Sequence, residues 1–419
     1  MFRFKSYRAA AVALLLVAAS AVPGRAAQTN ASKPWPPDQF APLTLERIES
    51  LPRSEQSAWK NYFKTSRNTA TLRATRAQPD NSPTNILPLG SRAALHSKGL
   101  VLQEPDIWLT QPAPAVIADR IVANQSAAGG WTKGIDYTKP FEAPPKADAW
   151  SNGTFDNNAT TTELRYLARV ITKFKGTTNV TAWQKSFDRG LQYIFKSQYP
   201  NGGFPQIYPL AGGYHDNVTY NDGVMERVLE FLRDVAHGGK EFSFVSNRMK
   251  QEAARRFELG VRCILASQIR NADGRRTVWC QQHDALTLKP AAARNFEPVA
   301  ACAAESAGIT GLLMSLTNPP PEVVQAVESA IEWFRKTQIP GITWDRFTNN
   351  VSATVAPSAP PMWARLYELE TDKPIFGDRD RTIHYEVITV SEERRRGYAW
   401  YGYWPAEVLA HFESWREFR

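Results

Sequence analysis

The sequence predicts an all-α fold, an (α/α) toroid of repeated helix pairs with an irregular N-terminal arm and loops lining a cleft. Three observations predict it. Four glutamines, Gln125, Gln198, Gln268 and Gln338, stand 73, 70 and 70 residues apart. Each closes an apolar-periodic helix and opens a Gly/aromatic loop: Gly129-Gly130-Trp131, Gly202-Gly203-Phe204, Gly274 with Trp279, and Gly341 with Trp344. Between successive glutamines lies a second amphipathic helix, marked by Leu164, Leu167, Ala168 and Ile171, then Val224, Val228, Phe231 and Leu232, then Ile309, Leu312, Leu313 and Leu316. Strand-like alternation is almost absent. A period this regular marks a stacked helix-pair unit. Pairs in series close economically into a ring of inner and outer helices, with an open solenoid as the competing arrangement. The plain reading of the Gly/aromatic loops is structural: glycine ends each helix and the ring packs on its end.

Before the repeats come two other segments. Met1 to Ala26 has a basic start (Arg3, Lys5, Arg8), an apolar run from Ala9 to Ala19 and small residues up to Gly24-Arg25-Ala26. That is the pattern of a secretory signal, too short in its apolar part to anchor in a bilayer. The expected product is secreted or periplasmic, monomeric and without stable membrane association. Loss of that segment removes four basic residues and no acid, so the formal charge falls from +9 to +5. A moderate positive excess suits an acidic ligand, and nothing in the pattern points to nucleic acid. Residues 27–100 are Pro-, Ser-, Thr- and Asn-rich and read as an N-terminal arm with one short helix around Leu43 to Lys64. Residues 101–419 form the helical domain, long enough for one large core. Three cysteines, Cys263, Cys280 and Cys302, allow at most one disulfide and match no zinc spacing.

Chemistry-bearing residues cluster just after the loops. Asp156-Asn157-Asn158 stands where an inner helix is expected to begin, and Asn221-Asp222 takes the corresponding place in the next repeat, with Asp222 matched to Asp156, 66 residues on. Each aspartate alone reads as a helix N-cap. Together, in amide-rich surroundings, they offer the hard oxygen ligands that suit Ca²⁺. The third and fourth repeats bring cations: Lys289, Arg294, Arg365 with Tyr367, and the loop Gly377-Asp378-Arg379-Asp380-Arg381. Carboxylates facing guanidinium forks form a clamp for a polyanion held partly through a metal. No Gly-rich phosphate loop, nucleophile elbow or zinc signature is present.

These motifs carry a resemblance. Asp156-Asn157-Asn158-Ala159-Thr160-Thr161-Thr162, Asn201-Gly202-Gly203-Phe204-Pro205-Gln206, Tyr208-Pro209-Leu210, His283-Asp284 through Glu297, Pro374 to Asp380 and Gly397 to Gly402 resemble the pectate lyases of polysaccharide lyase family 10. The resemblance runs from about residue 105 to the C-terminus. It implies an (α/α) toroid and Ca²⁺-dependent cleavage of polygalacturonate by β-elimination. By position it makes Asp156 and Asp222 the acidic residues near substrate and Ca²⁺, Arg294 a ligand of a substrate carboxylate, and Arg379 the arginine base, with Arg381 as competitor. Lys133 and Asp136 resemble a further substrate-binding pattern, although Thr132 and Gly134 depart from it. Two other readings stay open: a glycoside hydrolase using two carboxylates, and a polyuronate-binding protein without catalysis.

Overall fold

Helix pairs form where the apolar periodicity puts them. The computed structural model describes residues 32–35, 40–71, 100, 102, 111–140, 149–176, 179–347 and 353–417; the expected export signal, Met1 to Ala26, lies outside them. The arm contributes α1 (Leu45–Glu49) and α2 (Arg53–Ala70). The repeats contribute α3 (Pro112–Ala123), α4 (Thr161–Lys173), α5 (Val180–Ser197), α6 (Val224–His237), α7 (Asn247–Ser267), α8 (Ala303–Met314) and α9 (Pro321–Thr337). A short α10 (Glu392–Gly397) and a closing α11 (Trp404–Glu417) follow. Helices α4, α6, α8 and α11 pack side by side in one row, and α3, α5, α7 and α9 flank them in a second. The expected faces are the buried ones: Leu164, Leu167, Ala168, Val228, Phe231, Leu232 and Leu313 are all sealed from solvent.

The repeating glutamines explain the period. Gln125 Nε2 donates to Gly129 O in its own loop (2.7 Å) and to Ser186 O on α5 (2.8 Å). Gln198 does the same to Gly202 O and to Arg256 O on α7 (both 2.9 Å). Gln268 bonds Thr277 O and Ala326 O on α9 (both 2.9 Å). One side-chain amide thus donates both to its own loop and to a carbonyl of the next helix of its row, and ties each pair to the next. Gln338 is exposed, and among the described residues no further helix of its row follows it. Trp131 and Trp279 pack on helix ends as expected, each indole N–H donating to a carbonyl of its own repeat, Ile121 O (2.7 Å) and Ile264 O (2.8 Å).

The all-α expectation needs correction. Short strands occupy the long connections: β1 (Lys33–Pro34), β2 (Val218–Thr219), β3 (Gln282–His283), β4 (Pro290–Ala291), β5 (Ala301–Cys302), β6 (Ile342–Thr343), β7 (Thr354–Val355), β8 (Trp363–Ala364), β9 (Leu366–Tyr367), β10 (Pro374–Gly377), β11 (Thr382–His384) and β12 (Tyr401–Gly402). Strands of two to four residues are too short for a period of two to register in sequence. The largest sheet is antiparallel, in the order β1-β11-β10-β9-β5, so its outer strand comes from the arm. The arm also packs at α2, where Trp59 and Tyr62 are buried against Tyr199 and the Tyr62 hydroxyl donates to Ser197 O (3.0 Å). Burying each such ring is worth roughly 2 kcal/mol. No helix among the described residues is long and apolar enough to cross a membrane. All three cysteines are buried free thiols.

Candidate active site

Two short turns, Asp156–Asn158 and Asn221–Gly223, sit at the entrances to α4 and α6 and pack against each other. They are copies. The residue before each has nearly the same backbone, φ −103° at Phe155 and φ −97° at Tyr220. The N–H of each is received by a glutamine carbonyl from the following repeat, Phe155 N to Gln206 O (3.0 Å) and Tyr220 N to Gln281 O (2.9 Å). The same glutamines reach back with their amides, Gln206 Nε2 to Asp156 Oδ1 (3.2 Å) and Gln281 Nε2 to Asn221 Oδ1 (2.9 Å). Asn157 and Asp222 then both adopt φ 53°. This correspondence shifts the expected match by one residue. Asp156 pairs with Asn221, and Asp222 pairs with Asn157. Asn, Asp and Gly tolerate the left-handed region that the turn needs. Neither aspartate caps a helix: α4 starts after Thr160 and α6 after Gly223.

The two carboxylates therefore have different surroundings. Asp156 is buried, its oxygens taken by the Gln206 amide and the Lys133 ammonium, which also lies 4.0 Å from the centre of the Trp150 ring. Asp222 is exposed to solvent and stands among charged neighbours. Its carboxyl is pushed up to about 6, by loss of hydration first and by the nearby Asp156 and Glu305 charges, against the pull of Arg365 and Arg294. Among the described residues its one side-chain donor is the adjacent Asn221 amide (2.9 Å).

Guanidinium groups face this pair. Arg294 forks onto Glu297 (2.6 and 2.5 Å), which the Tyr398 hydroxyl also contacts (2.8 Å). Tyr398 in turn accepts from the Gln281 amide (2.9 Å), joining the arginine to the Asn221 turn. Arg365 is mostly buried, ion-paired with Glu305, and 5.0 Å from the Tyr398 ring centre. Arg379 lies further out. Its side chain is 60% exposed and forks onto Glu393 (2.9 and 3.0 Å). Arg294, Arg379 and Arg394 all gather on Phe296, at 4.8, 5.4 and 4.4 Å from its ring centre. Gly377 lets the Arg379 turn come this close, because a Cβ there would lie 2.3 Å from Phe296 O.

Four predicted residues are not brought to the cluster. Tyr367 is buried, donating to Thr337 O and accepting from Ala364 N (both 2.9 Å), so it is a packing residue. Lys289 is exposed on the turn between β3 and β4, where short spacing carries it away from the turns. Asp136 closes its own loop by accepting from Thr138 N (3.1 Å) and Oγ1 (2.5 Å). Arg381, left-handed at φ 64°, lies 5.6 Å from the Trp35 ring centre and faces the arm. Conversely, sequence reasoning missed Gln206, His215, Asn157, Glu305, Arg394 and Tyr398. Gln206 and Tyr398 were inside the quoted strings, but only the fold reveals which carboxylates they touch. A cavity of about 1140 Å³ along α6, α8 and α11 includes Glu226 and Trp404 in its lining but neither aspartate, so it is separate from the carboxylate pair.

A cation can be weighed against these donors. No group of three or more His, Cys, Asp or Glu side chains among the described residues is arranged to hold a metal. Asp222 supplies a carboxylate with free lone pairs, Asn157 an amide in the matching position, and Gln281 Oε1 is buried with no hydrogen-bond donor. That set fits Ca²⁺ taking its remaining oxygens from a bound carboxylate and water, and does not fit a protein-only cage.

Residues 125–409 match the family described as pectic acid lyase. The chain belongs to that family. A family 10 polysaccharide lyase from Cellvibrio cellulosa shares 30% identity with it, over 74% of this chain and 95% of that one, with a TM-score of 0.66. A mutant of the Cellvibrio family 10 enzyme in complex with trigalacturonic acid gives 30% identity over 74% and 96%, with a TM-score of 0.65. No curated protein matches the chain. It is thus a pectate lyase of polysaccharide lyase family 10, largely helical with added short strands.

Proposed function

We propose that this lyase cleaves α-1,4 bonds of polygalacturonate by Ca²⁺-dependent β-elimination, leaving an unsaturated oligogalacturonide. The observation that carries the reading is the opposition of one solvent-reached carboxylate, Asp222, to the guanidinium groups of Arg294 and Arg365 across matched turns, with Arg379 beside Arg294 on the Phe296 ring. A Cellvibrio relative in complex with trigalacturonic acid supports the substrate class. The double row of helices is read as part of the (α/α) toroid, and the protein as an exported monomer.

The C5 proton of a galacturonate ring is acidified by its neighbouring carboxylate. Asp222, with Asn157 and Gln281 beside it, would hold Ca²⁺ against that carboxylate, and the bound ion would supply the positive charge that stabilises the enolate-like state. The chain's own cations add to it, Arg365 from below and Arg379 from the rim. An arginine must then collect the proton, although its ordinary pKa exceeds about 12. Position favours Arg294 over Arg379 for that task. The Arg294 charge is felt at Asp222 and at His215, whereas Arg379 is open to solvent; both are held charged by carboxylate forks, Arg294 onto Glu297 and Arg379 onto Glu393, which the base would have to leave. Water supplies the proton for the leaving O4.

The test is absorbance of the unsaturated product on polygalacturonate, with Ca²⁺ and with chelator, for wild type, Arg294→Lys and Arg379→Lys. Chelator-sensitive absorbance is expected, with the greater loss in Arg294→Lys. New reducing ends without that absorbance would mean hydrolysis and overturn the reading.

A further inference from the structure

The turn that carries Arg379 is held on one side by well-placed neighbours. Asp378 accepts from Arg379 N (2.7 Å), Ser391 N (2.6 Å) and Ser391 Oγ (2.8 Å), and its own N–H donates to Thr382 O (3.0 Å). The other side of the hairpin would be a bare strand edge, which is a poor brace for a side chain that must be placed closely. In this chain the arm covers it. Lys33 and Pro34 pair antiparallel with Ile383 and Thr382, and Trp35 N donates to Arg381 O (3.1 Å). The Trp35 ring is buried with the Arg381 guanidinium 5.6 Å from its centre, two residues from Arg379. Lys33 pins the other end by pairing with Glu368, which the Tyr385 hydroxyl also contacts (3.0 Å). Residues 32–35 lie outside the family match, which begins at residue 125.

From this we propose that Trp35 is a positioning residue for the lyase reaction: the strand Lys33–Pro34 and the Trp35 ring brace the β10–β11 hairpin so that Arg379 is presented to the substrate. The proposal rests on the reading above that Arg379 contacts the substrate. It requires that Arg381, expected from sequence to compete for the substrate, works through Trp35 instead. The left-handed backbone at Arg381 fits that division, since glycine could hold the same turn but could not stack on the ring.

The experiment is a double-mutant cycle in the full chain, measuring kcat and KM on polygalacturonate for Trp35→Ala, Arg379→Ala and the pair, with Arg381→Gly as a second way to break the stack. Hydrogen exchange of the segment 376–384 and melting temperature are followed alongside. Trp35→Ala and Arg381→Gly are each expected to lower kcat/KM about five-fold, in line with loss of a partly buried cation–π contact. Exchange at 376–384 should quicken in both variants, while melting falls in Trp35→Ala, which also loses a buried ring, and changes little in Arg381→Gly. In the Arg379→Ala background the further loss from Trp35→Ala should fall below about two-fold. An equal loss in both backgrounds, or unchanged kinetics in Trp35→Ala, would overturn the brace. Full activity of Arg379→Ala alone would strike the reading of Arg379 instead, and the exchange data would still report whether Trp35 holds the hairpin.

Discussion

The Asp156 turn and the Asn221 turn share a backbone and differ in where the carboxylate stands. In the first turn it occupies the buried position, where a glutamine amide and Lys133 already satisfy it. In the second it occupies the left-handed, solvent-reached position, where among the described residues only an asparagine amide donates to it. The repeat therefore supplies two equivalent stages, and a one-residue shift decides which acid is structural and which is open to an external cation. It also explains why Asp222 titrates high while its neighbour is locked in an ion pair.

The largest effect should come from removing the open acid. Asp222→Asn is expected to reduce Ca²⁺-dependent turnover by about two orders of magnitude, with Ca²⁺ binding by calorimetry lost in parallel. The same substitution should raise the stability of the metal-free protein above pH 6. The sign follows from the raised carboxyl: the folded state holds a proton that the unfolded chain gives up near 4, so stability falls as pH rises from 4 through about 6. Allowing for solvent screening, the gain is about 1 kcal/mol. A melting temperature that drops in Asp222→Asn at pH 8 without Ca²⁺ would contradict it.

Next in size, Arg294→Lys should lower kcat by about 100-fold and Arg379→Lys by about ten-fold, because a lysine cannot reproduce a planar fork. Equal losses would erase the division between centre and rim. The pH profile sharpens the comparison further. Below about 6 protons compete with the cation for Asp222, so apparent Ca²⁺ affinity should fall about ten-fold per pH unit there. A flat affinity between pH 4.5 and 6 would place the cation elsewhere. The smallest effect is expected at the closed turn. Gln206→Leu removes one donor from Asp156 and should cost about three-fold in kcat, or roughly 1 kcal/mol of folding stability, with Lys133 still in place.

The helices were legible because their apolar period spans three or four turns, and the glutamine spacing made the pairing visible as well. The strands were not, since two-residue bridges such as Val218–Thr219 leave no pattern. Asp156, Arg294 and Arg379 could be picked out from motif strings, and Asp222 and Arg365 from their place in the repeats. Lys289 and Tyr367 stand in the same segments and look equally chemical, but burial against Thr337 and exposure on a hairpin tip are properties of the fold. The shift between the two turns was hidden for a related reason: Asp-Asn and Asn-Asp align as easily as Asp with Asp until backbone angles are compared. His215 was passed over because a lone histidine carries little signal. Its Nδ1 lies 2.8 Å from Gln206 Oε1, fixing which end of that amide meets Asp156. Burial pushes its imidazole down to about 4, so it stays neutral in this role.

The glutamine links between successive pairs have a consequence for how the molecule comes apart. Each link couples the opening of one pair to the opening of the next, so the linked stretch should melt as one cooperative block. Gln338 makes no such link among the described residues, so the segment after α9 is held instead by the β5–β9 pairing and by α11 packed on α8. Among the described residues, amides 339–347, which leave α9 without a glutamine link, are therefore where opening should begin, ahead of the turns that carry the two aspartates.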